Sequence, residues 1–300
     1  MPHTAIMPTP SDLQSLPKRH DTLVGIDSDG CVFDTMTAKQ REHFHPFIIR
    51  FWQLDACADA LRACADFVNL GSRTRGSNRF PALLRVFELL ADHPAAKASG
   101  AALPATAALR AYVRSGLPLG NASLKAEADR TGDPELARLL AWSLALNADI
   151  AANMRPVPPF AWAKRALERI RAGSDALVVS QTPEEALVKE WNLHDLRGYV
   201  SFIAGQELGT KAEHLRLASS GRYAPGRILL IGDAQGDLAA AREANVSFYP
   251  INPGAEEASW ERFCAEAYDR FLSGTYAGKY EQALMDAFAA LLPDTPPWCN

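Results

Sequence analysis

Between Phe160 and Tyr249, short apolar runs alternate with helix-length amphipathic stretches, and this alternation limits the fold more than any other feature of the chain. Ala176–Val179, Val200–Ala204, Ile228–Ile231 and Val246–Tyr249 read as buried strands. Helical patterns occupy 161–172, 183–191, 211–219 and 238–244. Apolar runs this short, set between helices, mark strands covered on both faces. Strand–helix–strand repeats of this kind close into a parallel sheet through right-handed crossovers. Upstream, Leu23–Ile26 supplies one more buried strand, and two helical stretches, near 256–271 and 280–292, follow the last one. The expected class is therefore α/β, with a Rossmann-like parallel sheet as its core.

Residues 36–158 have a different texture: helical patterns without a convincing strand. A run from Asp34 or Thr35 through Trp52 is amphipathic, with Pro46 as a kink or break. Residues 55–70 are helical up to Gly71, and 82–91 place Leu83, Val86, Phe87 and Leu90 on one face. Residues 92–104 read as a loop. Asp133 and Pro134 are a cap and first-turn pair for a helix reaching about Ala148. Met154–Pro159 contains three prolines and reads as a stiff connector. The expected organisation is a discontinuous core, 1–35 and 159–300, interrupted by an all-helical cap at 36–158. Such a cap would act as a lid, hinged near Thr35 and Met154–Pro159.

Composition excludes several classes. With 300 residues, 48% hydrophobic and 22% charged, the chain has the make-up of a soluble globular protein. A net charge of −4 offers no basic excess for nucleic acid. No apolar stretch approaches the ~18 residues that span a bilayer, and the proline-bearing N-terminus has no signal-peptide core. Five cysteines without paired spacing fit reduced thiols, so a cytoplasmic location is expected. The Asn121–Ser123 sequon then has no role. The lid helices or the C-terminal pair offer a surface for a homodimer.

Polar residues cluster where strands end. Leu23–Ile26 runs directly into Asp27, followed by Asp29 and Gly30. Ala176–Val179 ends on Ser180, Gln181 and Thr182; Ile228–Ile231 ends on Gly232 and Asp233, with Asp237 shortly after. Gly209, Thr210 and Lys211 open a helix. In a parallel sheet these carboxyl ends meet along one edge, where open α/β sheets bind ligands. Asp27 and Asp29 alone could be a strand-ending turn. The full set suits phosphoryl transfer better. Asp27 can attack phosphorus, and Asp29 can protonate the leaving alkoxide and later take a proton from water. Asp27 and Asp233 form an oxygen-rich site for Mg²⁺. Ser180 can hold a phosphate oxygen, Lys211 can neutralise charge between the anions, and Asp237 can orient Lys211 or a metal-bound water.

In this order, Asp27-Ser28-Asp29-Gly30, Ser180, Lys211 and Gly232-Asp233 with Asp237, the chain resembles the haloacid dehalogenase-like hydrolase superfamily. The resemblance covers about residues 21–35 and 160–252. It implies a Rossmann-like core, a cap inserted directly after the first motif, and the main-chain carbonyl of Asp29 as a Mg²⁺ ligand beside Asp27 and Asp233. Gly30 and Gln181 would then face the substrate. Cys31 stands where phosphatases of this type usually have Thr or Val, and Gln181 where Asn or Gly is frequent. Dehalogenases of this kind lack the second carboxylate and phosphonatases replace it, so Asp29 argues against both. Phosphomutases keep both aspartates.

Between two cap helices, Ser72–Arg79 carries Arg73, Arg75 and Arg79 among Gly and Ser, a donor-rich loop in which Arg75 or Arg79 could bind the non-reacting part of a substrate. The alternative is a solvated loop whose arginines pair with surface acids such as Asp92 or Glu88. His43 and His45 have no metal-ligand spacing. The function expected is a Mg²⁺-dependent phosphatase of a small phosphorylated metabolite. A sugar phosphomutase, or a non-catalytic binding protein on the same fold, are the alternatives.

Overall fold

The computed structural model describes residues 9–299. Five strands form one parallel sheet: β1 (Leu23–Ile26), β2 (Asp175–Val179), β3 (Phe202–Ala204), β4 (Ile228–Gly232) and β5 (Ser247–Pro250), in the order β3-β2-β1-β4-β5. Leu23 stands between Asp175 and Ile228, and Ile26 between Val178 and Ile231. The chain builds outward from β1 to β3, then returns to the far side of β1 for β4 and β5. The strand order thus reverses between β1 and β4, and a crevice opens outside their carboxyl ends.

β1, β2 and β5 are buried along their whole length, as expected of a sheet covered on both faces. Val24, Ile26, Val178, Leu229 and Ile231 share a core with Leu167 and Ile170 of the helix Ala161–Gly173 and with Trp260, Phe263 and Tyr268. The helices Glu184–Leu193, Lys211–Ser219 and Gln235–Ala244 are the crossovers between successive strands.

The chain divides into two compact units. The sheet unit runs up to Asp34 and resumes from Pro156 to Leu291; the second unit comprises Thr35–Arg155 and the stretch from Leu292 onward. That final stretch departs from the sequence expectation, which places it with the sheet. Its reason is packing: the Trp298 ring lies 5.8 Å from Phe67 and 4.9 Å from His93, and Leu292 is buried.

The second unit is helical, with no strand among its described residues. Its own core is aromatic: Trp52 meets Trp142 edge-on at 5.8 Å and Phe87 at 5.1 Å. Asp133 caps the helix Pro134–Asn153 by accepting from the Glu135 and Leu136 N–H groups. Two local details differ from expectation. Residues 92–104 hold a short helix, Pro94–Ser99, because the His93 ring accepts from the Ala95 N–H and caps it. Pro46 does not break its helix. The turn before it, Lys39–Phe44, widens to a π-helix in which the His45 N–H reaches back to Gln40, and this makes room for the proline ring.

Candidate active site

β1 delivers Asp27 to the crevice, and the backbone then turns sharply. The Ser28 carbonyl accepts from the Val32 N–H at 2.9 Å, with Cys31 and Phe33 also on it, and the Gly30 N–H returns to the Phe33 carbonyl at 2.7 Å. Gly30 takes φ of 80°, a left-handed conformation that costs glycine nothing. Two indoles grip this loop. Trp191 Nε1–H donates to Ser28 Oγ at 3.0 Å, and Trp260 Nε1–H donates to the Cys31 carbonyl at 2.8 Å. Sequence reading missed both, because nothing local marks a tryptophan that far along the chain as a partner of this loop.

Lys211 opens its helix, where the positive end of the helix dipole disfavours a cation. Thr210 and Glu213 cap that start reciprocally, at 3.2 and 2.7 Å. Two carboxylates hold the ammonium in place: Asp27 Oδ1 at 2.8 Å and Asp237 Oδ1 at 2.5 Å. Burial alone would lower the Lys211 pKa, but Asp237 and Asp27 outweigh it and hold the amine protonated, above the ordinary lysine range. The other oxygen of Asp237 accepts from the Asp233 and Ala234 N–H groups at 3.2 and 3.0 Å. Asp237 therefore ties Lys211 to the loop after β4. Gly232 is required by the same contact, since a Cβ there would lie 2.4 Å from the Asp237 carboxyl carbon.

Asp27, Asp233 and Asp237 are all buried, and one carboxylate oxygen from each lies within 4.8 Å of the others. Burial pushes the Asp27 pKa well up; Lys211 opposes this, while Asp237 and Asp233 add to it. Three carboxylates and one ammonium leave a surplus of negative charge, and the donors are hard oxygens. These three carboxylates could hold a metal ion.

Across the crevice, the Thr182 hydroxyl donates to Asp29 Oδ2 at 2.7 Å. The sequence places Thr182 at a strand end without a role; its role is to orient Asp29. Ser180 is buried, and its Oγ accepts from the Thr182 N–H at 3.2 Å. The Gln181 amide donates to the Gly209 carbonyl at 3.0 Å, bracing the approach to Lys211. Burial, with Asp27 next, pushes the Cys31 thiol well up, so it stays protonated.

Arg75 and Arg79, expected to reach a substrate, are committed inside the helical unit instead. Arg75 is buried and donates to the Leu70 carbonyl at 3.0 Å, satisfying the end of the helix Ala58–Asn69. Arg79 donates to Ser143 Oγ at 3.1 Å and Asn147 Oδ1 at 2.7 Å, and lies over the Phe44 ring. His43 pairs with Asp149 at 2.7 Å.

The parallel sheet carries Asp27 and Asp233 at the β1/β4 reversal, and a helical unit leaves the chain just after β1. The core is an open parallel α/β sheet of Rossmann-like order. Among solved structures it is similar to a haloacid dehalogenase-like family hydrolase from Streptococcus pneumoniae, at 14% identity over 80% of this chain and 90% of that one, with a TM-score of 0.39. It is also similar to a protein from Haemophilus somnus described as a predicted phosphoglycolate phosphatase, at 16% identity over 76% and 84%, TM-score 0.43. A third is the defluorinating L-2-haloacid dehalogenase Rha0230, at 18% identity over 78% and 82%, TM-score 0.38. No family model and no curated protein matches the chain. What this core can do is carried by its own residues. Among the described residues, no helix is long and apolar enough to cross a membrane.

Proposed function

We propose that the chain is a divalent-cation-dependent phosphatase acting on a small phosphorylated metabolite through an aspartyl phosphate on Asp27. One observation carries this reading: a second carboxylate, Asp29, stands two residues from Asp27 and is oriented by the Thr182 hydroxyl at 2.7 Å. Carbon–halogen cleavage expels halide, which needs no proton. Phosphoester cleavage expels an alkoxide, which does.

In the first half of the reaction an Asp27 oxygen attacks phosphorus, the ester P–O bond breaks, and Asp29 gives its proton to the departing alkoxide. In the second half, Asp29 takes a proton from water as that water attacks the aspartyl phosphate, and the Asp27 carboxylate is regenerated with release of phosphate. Lys211, held by Asp237, neutralises charge between Asp27 and the incoming dianion, and Ser180 with the N–H groups after it receives phosphate oxygens. A Mg²⁺ ion on Asp27, Asp233 and the Asp29 carbonyl, when bound, offsets the carboxylate surplus that would otherwise repel phosphate.

The test is phosphate release from p-nitrophenyl phosphate and from an alkyl phosphate, with 2-chloropropionate as the competing substrate. Mg²⁺ should support hydrolysis and EDTA should abolish it. Asp27→Asn should abolish turnover. Asp29→Asn should cost about 10²- to 10⁴-fold on the alkyl ester and much less on the nitrophenyl ester, whose leaving group needs no acid. Halide release without phosphate release would overturn the reading.

A further inference from the structure

At the amino ends of the strands, the edge opposite Asp27, a cavity of about 400 Å³ is walled by the loop before β1, the last turn of the helix Ala161–Gly173, the start of β2 and the turn 198–201. That volume suits a small ligand. The site lies at the far end of β2 from Ser180, about 16 Å away along a five-residue strand.

Its charge is one-sided. Arg19, His20 and Arg171 line the cavity, and among the described residues none of them makes an ion pair. Arg171 lies 5.8 Å over the Tyr199 ring. The one carboxylate in the wall, Asp175, is buried and its Oδ2 is already engaged: it accepts from the Arg19 N–H at 3.0 Å, the His20 N–H at 3.1 Å and the Tyr223 hydroxyl at 2.8 Å. Those bonds pin the backbone that carries Arg19 and His20, so their side chains project from a fixed base. Of the neighbouring acids, Asp21 pairs with Lys18 and Glu168 meets the Tyr199 hydroxyl at 3.4 Å. What remains to meet a ligand is almost wholly donors: two guanidinium forks, an imidazole and the Ser201 hydroxyl.

We propose that this cavity is a second ligand site, separate from the Asp27 crevice, that takes a small polyanion with Arg19 and Arg171 as its charge partners. Phosphoryl and carboxylate groups satisfy the same donors. The proposal is independent of the reaction assigned to Asp27.

Isothermal titration of the full chain in EDTA with pyrophosphate, and separately with citrate, tests it. Binding of at least one of these anions is expected, and the one preferred distinguishes phosphoryl from carboxylate recognition. Arg19→Ser and Arg171→Ser should each weaken binding at least tenfold, Arg171→Lys should retain part of it, and the double serine variant should lose it. Both arginines are exposed, so the variants should melt with the wild type, which verifies their fold. Heats unchanged in the double variant would place the anion elsewhere, and no binding of either anion to the wild type would mean there is no such site; each overturns the proposal.

Discussion

Asp237 divides its two oxygens between an ammonium and two backbone N–H groups, and through them the loop after β4 holds a lysine from another element in place. The meeting of Asp27, Asp233 and Lys211 was legible in the sequence because each stands at the end of an apolar run or opens a helix, and parallel topology brings those ends together. Arg75 was not legible as a structural residue: a buried arginine on a helix-end carbonyl and an arginine on a binding loop have the same local sequence. His45 shows burial acting on a single residue. Burial pushes its pKa from 6.5 down to about 4, although Asp66 stands 3.7 Å away. The unfolded chain takes up this proton near pH 6.5 and the folded chain only near 4, so unfolding binds a proton in between. Stability from this group is complete above pH 6.5 and falls as pH drops towards 4, by about 1.4 kcal/mol per unit. His214, also lowered to about 4 by burial and by Lys211, adds the same trend. In urea unfolding at pH 6.5, 5.5 and 4.5, His45→Gln should show a slope smaller by about one proton; an unchanged slope would refute the assignment.

Elements fared better than their junctions. The strand–helix alternation after Phe160 was readable because four- or five-residue apolar runs and 3.6-residue periodicity are different signals. The π-turn before Pro46 was not, since it is a local accommodation of a missing N–H rather than a pattern. Nor was the grip on the first loop, which joins β1 to the helices Glu184–Leu193 and Glu256–Arg262 through Trp191 and Trp260. These two indoles hold the segment carrying both aspartates without approaching the chemistry as acids or bases. Trp260→Phe keeps the ring's packing but orphans the Cys31 carbonyl, and should cost about 1 kcal/mol of stability. A loosened loop misplaces Asp27 and Asp29, so kcat for p-nitrophenyl phosphate should drop by several-fold to tenfold while KM stays within about twofold. Trp191→Phe should act in the same direction through Ser28. If both variants lost stability yet kept wild-type kcat, the indoles would be structural only.

For the whole molecule, the division into a sheet unit and a helical unit follows from texture, and the sequence shows it as the absence of strand patterns between Thr35 and Arg155. The allegiance of the C-terminal stretch does not show, because Trp298 and Leu292 would suit either core and only tertiary packing decides. Having passed through β5 and the helix Lys279–Leu291, the chain ends on the helical unit, so that unit is assembled from two stretches separated by most of the sheet. The Arg73–Asp294 pair at 3.1 Å is exposed and adds little; the apolar contacts of Leu292 and Trp298 carry the attachment. Ending the chain after Leu291 should therefore destabilise the helical unit by about 3 kcal/mol, the scale of one or two large apolar side chains. Amide exchange should localise the loss: faster in the helices Ala58–Asn69 and Arg79–Asp92, which carry Phe67 and precede His93, and unchanged in β1 and β4. Trp298→Ala alone should reproduce more than half of the effect. Equal acceleration in both units would mean that the stretch stabilises the molecule as a whole, and no acceleration would mean that its packing contributes nothing to the helical unit.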